Sequence, residues 1–514
     1  MWPVNYEKIK EILNGSFELR EKLLSDPFRP GYHIAFPGDY GLPGDPNGAF
    51  YANGRYHLMF LYWNRKDFFR YGHLSSTDLV HWRMHPDAIG PDEFDGGIFS
   101  GGAFVDADGT AYLSYWGVSD QHGKGATGLR IAYSKDIANH YEKWEKMPEY
   151  AVPGTSFGIR EETDAQGHKV LLGNADPSNI WKAGDTYYMQ AGALVVLNQF
   201  RDRPDAPNRM LGDWTELYAS KDLKHWEHRG RFYQRREDDL WTDKSEDDMC
   251  PSFLPLPKSP SGGDMSGKYL QLFIAHNKGA QYYIGSYDPS KDDYPFTPEK
   301  HGRMSWQDPS CFAPEALIDG QGRQIMWAWF NDDLFSDERE LSEFGWCGVY
   351  TLPRTLWLRE DGTLGQAPVP ELEMLRYGET DRVEGVDSRS CEIFIRAEVG
   401  KKGKTGLRIR LTRDEYLEVY YDAKNEELVY DATHARVSRV RQGLERAPLK
   451  LSGDKLRLRI FIDRAAVEVF ANEKQAISRR TYWNGQPDRE ISLIADDSTV
   501  EEIKAWNMME SNPF

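Results

Sequence analysis

The heptapeptide Ser76-Thr-Asp-Leu-Val-His-Trp82 carries the strongest fold signal in this chain, because it returns as Ser220-Lys-Asp-Leu-Lys-His-Trp226. A weaker copy, Ser134-Lys-Asp-Ile137, is followed by Trp144. Each copy comes after a short apolar run, and the unequal intervals between copies argue against a regular solenoid. Radially arranged sheets with loops of variable length fit such a repeat. The pattern therefore predicts a β-propeller in which the three tryptophans pack between sheets.

Short runs rich in aromatic and β-branched residues continue from about residue 30 onward. Gly, Asp, Asn and Pro separate them, and several runs pair across Asn53-Gly54 or Asp108-Gly109, which favour tight hairpin turns. The main runs are Ala49–Tyr51, Tyr56–Tyr62, Ala103–Val105, Ala111–Tyr115, Thr186–Gln190, Tyr269–Ala275 and Ile325–Phe330. No long helical pattern interrupts them, which favours an all-β protein over a parallel α/β sheet.

The two ends of the chain differ from this central part. Residues 5–25 have apolar residues at three- and four-residue spacings, which predicts one or two short helices in an N-terminal extension, 1–30. We expect the propeller over 31–350, a linker over 351–377 and a β-sandwich over 378–514. The sandwich rests on runs with alternating polarity, namely Cys391–Val399, Gly406–Leu411, Tyr416–Tyr421, Lys455–Ile462, Ala466–Phe470 and Ile491–Ile494.

Composition narrows the class of ligand. The 514 residues include 81 Asp plus Glu against 63 Lys plus Arg, a net charge of −18. Such an acidic surface repels phosphate backbones, so we expect no nucleic-acid partner. The chain is rich in aromatic residues, with 16 Trp, 28 Tyr and 24 Phe. Flat rings fit the C–H faces of sugars, so a carbohydrate ligand is favoured, although core packing also uses such residues.

The sequence also indicates a location. No run of 18 or more apolar residues is present, and the first ten residues lack the pattern of a secretory signal. Four cysteines, Cys250, Cys311, Cys347 and Cys391, are widely spaced, which argues against both a zinc site and a disulfide framework. We therefore expect a cytoplasmic protein without membrane contact.

The candidate chemistry is that of carboxylates. The sequence has no phosphate loop, GxGxxG, HExxH or nucleophile-elbow motif, so we expect neither a metal nor an organic cofactor. Asp45 and Asp176 each precede a proline at the entrance to a strand, and Phe99-Ser-Gly-Gly-Ala103 has small residues where a ligand could approach the backbone. Taken singly, Asp-Pro is ordinary turn chemistry. In an aromatic-rich β protein, paired carboxylates point to glycosidic bond cleavage.

These segments occur in the order found in a known family. They are Leu42-Pro-Gly-Asp-Pro-Asn-Gly48, Tyr71–Trp82, Phe99–Gly101, Ala175–Pro177, Gly322–Trp329, Leu352–Leu356, Pro370–Arg376 and Phe461–Phe470. Over roughly residues 30–510 the chain thus resembles glycoside hydrolase family 32, the β-fructofuranosidases. The resemblance implies a five-bladed propeller, a C-terminal β-sandwich and a site in the central funnel of the propeller.

The resemblance also implies roles for individual residues. Asp45 would be the nucleophile that forms a fructosyl-enzyme, and Asp176 would stabilise the oxocarbenium-like transition state. Aromatic and polar residues near these motifs are the expected substrate contacts. They are Asn47, Tyr62, Trp63, Tyr71, Phe99, Ser100, Ala175, Glu315 and Trp329.

The chain departs from the family pattern at the general acid. The family has a Glu-Cys-Pro motif, whereas this chain has Met249 before Cys250-Pro251. Methionine cannot donate a proton to the leaving oxygen, a step that contributes about 10²–10⁴ in rate. Glu246 is the favoured replacement because its side chain is longer than that of Asp248. Glu315, or no acid at all in a sugar-binding relative, are the alternatives.

Other positions depart as well. Ala175 replaces an arginine, Tyr62 and Tyr71 replace Gln and Trp, and Gly44 replaces Asn. Since both aspartates remain, the sequence predicts a divergent, retaining glycosidase of changed specificity that cleaves β-fructofuranosyl linkages in small fructosides or fructo-oligosaccharides. A fructosyltransferase, a hydrolase of another furanoside and a non-catalytic fructan-binding protein stay open, as does the oligomeric state.

Overall fold

The computed structural model describes residues 6–37, 42–64, 68–119, 127–164, 166–236, 238, 240–331, 345–435, 443–483 and 488–512. Residues 1–5 of the predicted extension, and the glycine at position 41, lie outside this part of the chain. The described residues are mostly β, and two groups of sheets follow a single N-terminal helix.

The helix α1 spans Tyr6–Ser25 and is followed by a short strand, β1, at Ala35–Pro37. The structure therefore has a single helix where the apolar spacing predicts one or two short helices. Its inner face packs through Leu19 and Leu23, while most of the helix is exposed. Neither this helix nor any other described helix combines the length and the apolarity that crossing a membrane requires.

Five larger sheets occupy the described residues between 42 and 368. The first contains β2 (Leu42–Ala52), β3 (Arg55–Trp63), β4 (Phe69–Ser76) and β5 (Trp82–Ile89). The second contains β6 (Gly97–Phe99), β7 (Ala103–Val105), β8 (Ala111–Val118), β9 (Gly128–Ser134), β10 (Glu145–Lys146) and β11 (Val152–Pro153). A hairpin, β12 (Ile159–Thr163) and β13 (Lys169–Gly173), precedes the third.

The third sheet contains β14 (Ala175–Pro177), β15 (Trp181–Ala183), β16 (Thr186–Gly192), β17 (Trp214–Ser220) and β18 (Trp226–Gln234), with helix α2 (Leu194–Phe200) after β16. The fourth contains β19 (Met249–Pro257), β20 (Met265–Ala275), β21 (Gly279–Tyr287) and β22 (Phe296–Arg303). The next strands are β23 (Cys311–Ile318), β24 (Gln324–Phe330), β25 (Trp346–Val349), β26 (Arg354–Leu358) and β27 (Leu364–Pro368). Of these, β23, β24, β26 and β27 form the fifth sheet, and β25 pairs with β1.

The inner strands of these sheets contact one another around a closed path. β2 contacts β7, β14 contacts β8 and β19, and β23 contacts both β19 and β2. Each sheet therefore borders two others, and the start of the first sheet lies against the start of the last. This arrangement fits the predicted β-propeller.

The repeated heptapeptide forms the same turn in two sheets. Trp82 Nε1 donates to the carbonyl of Leu79 at 3.2 Å, and Trp226 Nε1 donates to that of Leu223 at 3.1 Å. Both leucines have left-handed backbones, with φ of 65° and 64°. Trp144 donates its ring N–H in the same way, to the residue three positions earlier. Trp82 also packs edge-on against Trp327 of the fifth sheet, and Trp144 packs edge-on against Phe50 of the first, as the predicted packing between sheets requires.

Two sheets packed face to face form the C-terminal part, as predicted. One contains β28 (Arg376–Thr380), β29 (Ser390–Val399), β34 (Lys455–Asp463), β35 (Ala466–Ala471), β36 (Gln475–Arg480) and β38 (Ser498–Met508). The other contains β30 (Lys404–Arg410), β31 (Tyr416–Asp422), β32 (Glu427–Asp431), β33 (Leu444–Pro448) and β37 (Glu490–Ala495). One apolar cluster fills the space between them.

The segment 351–377 is not simply a linker. Strands β26 and β27 complete the fifth sheet, so the chain leaves that sheet only after Pro368. A short 3-10 helix, Pro370–Leu375, then leads directly into β28 of the sandwich. The apolar residues of 354–358 are buried against β24, and this packing is why they form a strand.

A buried charged cluster joins the sandwich to the N-terminal segment. His33 Nδ1 lies 2.8 Å from Asp463 Oδ2, and its Nε2 lies 3.2 Å from Glu468 Oε1. Arg354 of the fifth sheet donates to Glu468. Burial lowers the pKa of His33, but the two carboxylates outweigh it and raise that pKa to about 9. The strand pair Phe461–Phe470 thus provides the anions that hold the two parts together.

Candidate active site

The first strands of four sheets share a break in their pairing. Register shifts occur around Gly48, Asp176, Cys250 and Ala313, and each of these residues has a left-handed backbone, with φ of 49°, 35°, 49° and 44°. Such bulges re-aim side chains and are common beside active sites. Gly48, Asp176 and Cys250 all lie in motifs that the sequence analysis selected, so the breaks and the candidate residues coincide.

Asp45 is held by residues of the neighbouring sheet. Ser100 Oγ donates to Asp45 Oδ2 at 2.6 Å. Asn47 Nδ2 donates to the Asp45 carbonyl at 2.9 Å, and its Oδ1 accepts the Gly101 N–H at 3.0 Å. A Cβ on Gly101 would lie 2.0 Å from the Ser114 carbonyl oxygen, so the close approach of the two strands requires glycine there. The first two motifs are therefore clamped together.

Asp176 and Asp45 face one thiol. Cys250 Sγ lies 3.6 Å from Asp45 Oδ2 and 3.6 Å from Asp176 Oδ2. Burial raises the pKa of the Cys250 thiol well above its usual value, and the two carboxylates raise it further. The thiol therefore stays protonated and acts as a donor. Three sheets thus contribute one side chain each to a single polar point.

The two carboxyls do not ionise independently. Burial raises the pKa of Asp45. Burial, and then the charge of Asp45, raise the pKa of Asp176 to about 7. Like charges at one point favour retention of a shared proton. Below pH 7 the Asp176 carboxyl is therefore mostly protonated. In the described part of the chain, no group of three or more His, Cys, Asp or Glu side chains is arranged to hold a metal ion.

A histidine that the sequence analysis did not select lies beside this pair. His276 follows β20, and its side chain is 51% exposed. Its Nδ1 lies 3.2 Å from Asp247 Oδ1, and its backbone N–H donates to Asp247 Oδ2 at 3.1 Å. The imidazole interacts electrostatically with both Asp45 and Asp176. No local motif marks His276, since only the pairing of β19 with β20 brings it here.

Glu246, the favoured acid in the sequence analysis, has a different environment. Its side chain is fully buried, Lys278 Nζ donates to Oε1, and Gln281 Nε2 donates to Oε2 at 2.7 Å. Arg303 lies 3.8 Å from Oε1. Burial raises the pKa of Glu246, whereas Lys278 lowers it. Both carboxylate oxygens are occupied by cations and amides, and this favours a structural ion pair over proton transfer to substrate.

Asp248 and Met249 also point into the protein. Asp248 is fully buried and accepts the Trp214 N–H at 2.7 Å, and burial raises its pKa well above the usual value. Met249 is 2% exposed. Its Sδ packs against Gly192, where an added Cβ would lie only 2.6 Å from the sulfur. Met249 belongs to an apolar cluster together with Ile274.

Glu315 lies against the strand that carries Asp45. Its Oε1 accepts the backbone N–H of Ala49 at 2.8 Å, and the residue is 4% exposed. Burial raises the pKa of Glu315 to about 8. A neutral carboxyl is therefore expected at this position at pH 7. The bond ties the fifth sheet to the first, immediately after the Asp45 motif.

Two predicted substrate contacts are enclosed by protein. The Tyr62 hydroxyl donates to both carboxylate oxygens of Asp87, at 2.8 and 2.7 Å, and the residue is 4% exposed. Ala175 is fully buried and pairs with Gly192. Both residues shape the site from behind. Trp63, at the end of β3, is only partly buried.

An aromatic wall stands beside the carboxylate pair. Phe99 packs against Phe68 and Trp116, with ring centroids 5.7 and 5.1 Å away, and Phe157 extends the group at 4.6 Å from Trp116. Phe157 is 50% exposed. Behind the wall, Tyr71 donates its hydroxyl to the Phe99 carbonyl at 2.9 Å. This wall, Phe68–Phe99–Trp116–Phe157, is an apolar surface of rings tilted or edge-on to one another, and it adjoins Ser100, which binds Asp45.

Trp329 faces the site from the fifth sheet. A Cβ on Gly44 would lie 3.9 Å from Trp329 Cζ3, so the indole covers the residue before Asp45. Its ring packs edge-on against Phe312 at 6.0 Å. The indole N–H is buried without a hydrogen-bond acceptor among the described residues. Trp329 therefore combines a flat face with a donor, as sugar contacts often do.

Comparisons with known proteins match the chain to one family over most of its length. Residues 36–368 match the model for the glycosyl hydrolases family 32 N-terminal domain, and residues 371–507 match the model for the family's C-terminal region. A sucrose-6-phosphate hydrolase of Zymomonas mobilis is 26% identical, over 99% of this chain and 98% of its own. A levanase of Bacillus subtilis is 27% identical, over 93% of this chain and 69% of its own.

The solved structures show the same fold. Fructan 1-exohydrolase IIa from Cichorium intybus has a TM-score of 0.75 at 20% identity, covering 95% of this chain and 98% of its own. Sucrose-6-phosphate hydrolase from Lactobacillus gasseri has a TM-score of 0.74 at 21% identity, covering 96% of each chain.

Proposed function

Because the chain belongs to glycosyl hydrolase family 32, we propose that Asp45 and Asp176 carry out its chemistry by double displacement. The chain is a glycoside hydrolase of the β-fructofuranosidase type and acts on β-fructofuranosyl linkages. In this assignment Asp45 is the nucleophile and Asp176 stabilises the transition state.

The contact of one thiol with both carboxylates carries the proposal. Cys250 Sγ is 3.6 Å from each Oδ2, so the two carboxyl groups converge on one point. Ser100 also donates to Asp45 Oδ2, the same oxygen that the Cys250 thiol contacts. A preorganised set of donors and carboxylates, held before substrate arrives, is what stabilises developing charge at low reorganisation cost.

The proposed chemistry has two steps. In the first, Asp45 attacks the anomeric carbon, the bond to the leaving oxygen breaks, and that oxygen takes a proton. In the second, water attacks the same carbon, loses a proton to a base, and releases the Asp45 carboxylate. The configuration at the anomeric carbon is retained because it is inverted twice.

We propose small fructosides, such as sucrose and short fructo-oligosaccharides, as substrates. The relatives named above act on sucrose 6-phosphate and levan according to their names, and a raffinose invertase of Escherichia coli is 28% identical over 93% of this chain. The aromatic wall and Trp329 supply apolar faces on two sides of the pair, which suits sugar rings. The alterations at Ala175 and Tyr62 favour a preference different from that of the family's invertases.

We also propose the finer architecture that the sequence implied. The five larger sheets would be five blades around a central funnel, ending at Pro368, with the sandwich beginning at Arg376 and residues 1–30 as an appendage. The closed path of contacts between inner strands supports this division. A cytoplasmic location is proposed as well, and the thiols of Cys250, Cys311 and Cys391, which form no disulfide, support it.

Product release tests the proposal. Wild type and Asp45→Asn would be incubated with sucrose and with short inulin-type and levan-type oligosaccharides, and free fructose would be measured. We expect release by wild type and a loss on the order of 10⁴–10⁶ in Asp45→Asn, as for removal of other nucleophiles. Asp87→Asn, which removes a carboxylate bound to Tyr62, is the matched control. Binding without release by wild type would contradict the proposal.

A further inference from the structure

In the described part of the chain, Ser100 and Cys250 form hydrogen bonds to the Asp45 carboxylate, and no glutamate contacts it in this way. His276 interacts electrostatically with both Asp45 and Asp176. Ser100 and Cys250 donate their hydrogens to the carboxylates, and the pKa of the thiol is raised by burial. Apart from Asp176, whose own pKa is raised to about 7, His276 is the group among these that can exchange a proton near neutral pH.

The pairing of β19 with β20 explains why a histidine is here. Met249 is opposite Ile274 in an antiparallel ladder. Asp247 lies two residues before Met249 and His276 lies two residues after Ile274, so the ladder places these two side chains across from each other. Their two hydrogen bonds, at 3.1 and 3.2 Å, are the result. The proton donor thus comes from the neighbouring strand of the sheet in which position 249 has lost its carboxylate.

Asp247 fixes the ring in a useful orientation. It is 1% exposed and engages Nδ1, so the Nε2 edge faces away from it. No described residue forms a hydrogen bond with Nε2. Phe312 packs edge-on against the ring at 5.7 Å. An acid–base histidine has this arrangement: a carboxylate binds one ring nitrogen, and the second nitrogen is left to exchange a proton with the substrate.

The charges around His276 favour its protonated form. Burial lowers the pKa of the imidazole, but the Asp247 hydrogen bond and the charges of Asp247, Asp176 and Asp45 outweigh it, and the pKa is raised. Lys278, the nearest cation along the chain, is paired with Glu246 and Asp243.

We propose that His276, oriented by Asp247, is the acid and base of this enzyme and replaces the glutamate that is absent at position 249. In the first step His276 Nε2–H gives its proton to the leaving oxygen as Asp45 bonds to the anomeric carbon. In the second, neutral Nε2 takes a proton from water while the water oxygen bonds to that carbon and Asp45 departs. The histidine returns to its protonated state, and atoms and charges balance.

The inference rests on the proposed function, and the test separates the two. Wild type, Asp45→Asn, His276→Gln and His228→Gln would be assayed on sucrose and on p-nitrophenyl β-fructofuranoside. The nitrophenolate departs without a proton, whereas the glucose oxygen of sucrose needs one. His228, which pairs with Glu216 at 2.8 Å outside the site, is the matched control.

We expect the rate of His276→Gln on sucrose to fall by about 10²–10⁴. Formation of the fructosyl-enzyme from the aryl substrate, measured as the burst of nitrophenolate, should fall by less than about tenfold. Added azide, a nucleophile that needs no base, should release fructosyl azide from the accumulated intermediate. Because His276→Gln removes the partner of the buried Asp247 carboxylate, the rates would be compared per folded protein, with the folded fraction measured by circular dichroism at the assay temperature.

Each other outcome has a distinct meaning. If folded His276→Gln is active and loses equal rate on both substrates, or loses none, His276 is not the acid. Asp45→Asn still tests the nucleophile in that case. If wild type cleaves only the aryl substrate, the enzyme has no acid, and this result also overturns the assignment of His276. Full activity of Asp45→Asn contradicts the proposed function itself.

The pH profile gives a second readout. Asp247→Asn removes the main cause of the raised His276 pKa, so the alkaline limb of kcat/KM on sucrose should move to lower pH. A purely structural Asp247 would lower the whole profile without moving that limb, and such a result would count against the proton-transfer role.

Discussion

Replacing Asp176 with asparagine should abolish activity and yet stabilise the protein at alkaline pH. Burial and the charge of Asp45 raise the pKa of Asp176 from its ordinary 3.8 to about 7. The folded state therefore binds this proton more tightly than the unfolded state. Between pH 4 and 7 the folded state holds more protons than the unfolded state, so the free energy of unfolding falls as pH rises. Above pH 7 the whole cost of ionising the buried Asp176 carboxyl is present.

The size of the effect follows from the shift. Each pKa unit corresponds to about 1.4 kcal/mol, so a shift of roughly three units costs about 4 kcal/mol at pH 8 and nothing below pH 4. The asparagine side chain is neutral at every pH and keeps an oxygen near the Cys250 thiol. We therefore expect Asp176→Asn to gain up to about 4 kcal/mol relative to wild type between pH 4 and pH 8.

Melting temperature and urea unfolding at several pH values between 4 and 8 measure this gain. Asp78→Asn is a suitable control, because the backbone N–H groups of Val80 and His81 hold the pKa of Asp78 below its usual value. Its variant should lose stability relative to wild type as pH rises. A gain in Asp176→Asn that does not change with pH, or a loss that grows with pH, would refute the reasoning.

Three other substitutions probe the surroundings of the site. Glu246→Gln removes a fully buried carboxylate that pairs with Lys278, which keeps Asp243 as an anion, and should lower the free energy of unfolding by about 1–3 kcal/mol, while the folded fraction still releases fructose; inactivity of fully folded protein would instead make Glu246 catalytic. His33→Gln should destabilise the protein most below pH 6.5 and progressively less as pH approaches 9, because the protonated His33 ring, whose pKa is raised in the folded state, stabilises the fold. Urea unfolding at pH 6 and 9 measures this loss of stability. A loss that does not depend on pH would contradict the prediction. Trp329→Ala should raise KM for sucrose by about 2- to 10-fold, since an aromatic stacking contact is worth roughly 0.5–1.5 kcal/mol; an unchanged KM would show that Trp329 does not contact the substrate.

Much of this architecture could be predicted from local sequence. The turn formed by Ser76–Trp82 and Ser220–Trp226 depends on residues within seven positions, so the repeat revealed it. Asp45, Ser100 and Asp176 also stand in short motifs. Their arrangement depends on bulges and glycines that the motifs themselves contain.

What the sequence could not predict depends on pairing between strands. His276 is selected by the register of β19 with β20, and no pattern near position 276 shows that register. Glu246 is close to Met249 in sequence but is drawn into the protein by Lys278 and Gln281, which come from the next strands. Residues 354–368 do contain a turn signal, Asp361-Gly362, but their membership of the fifth sheet depends on contact with β24, which no local pattern shows.

The stereochemistry of fructosyl transfer to methanol tests the central claim most directly. Wild type would act on sucrose in dilute methanol, and the methyl fructofuranoside formed first would be identified by NMR. Double displacement through Asp45 predicts the β-anomer, and its absence in Asp45→Asn. Formation of the α-anomer would mean a single inverting displacement by a carboxylate-activated nucleophile, and it would contradict the account.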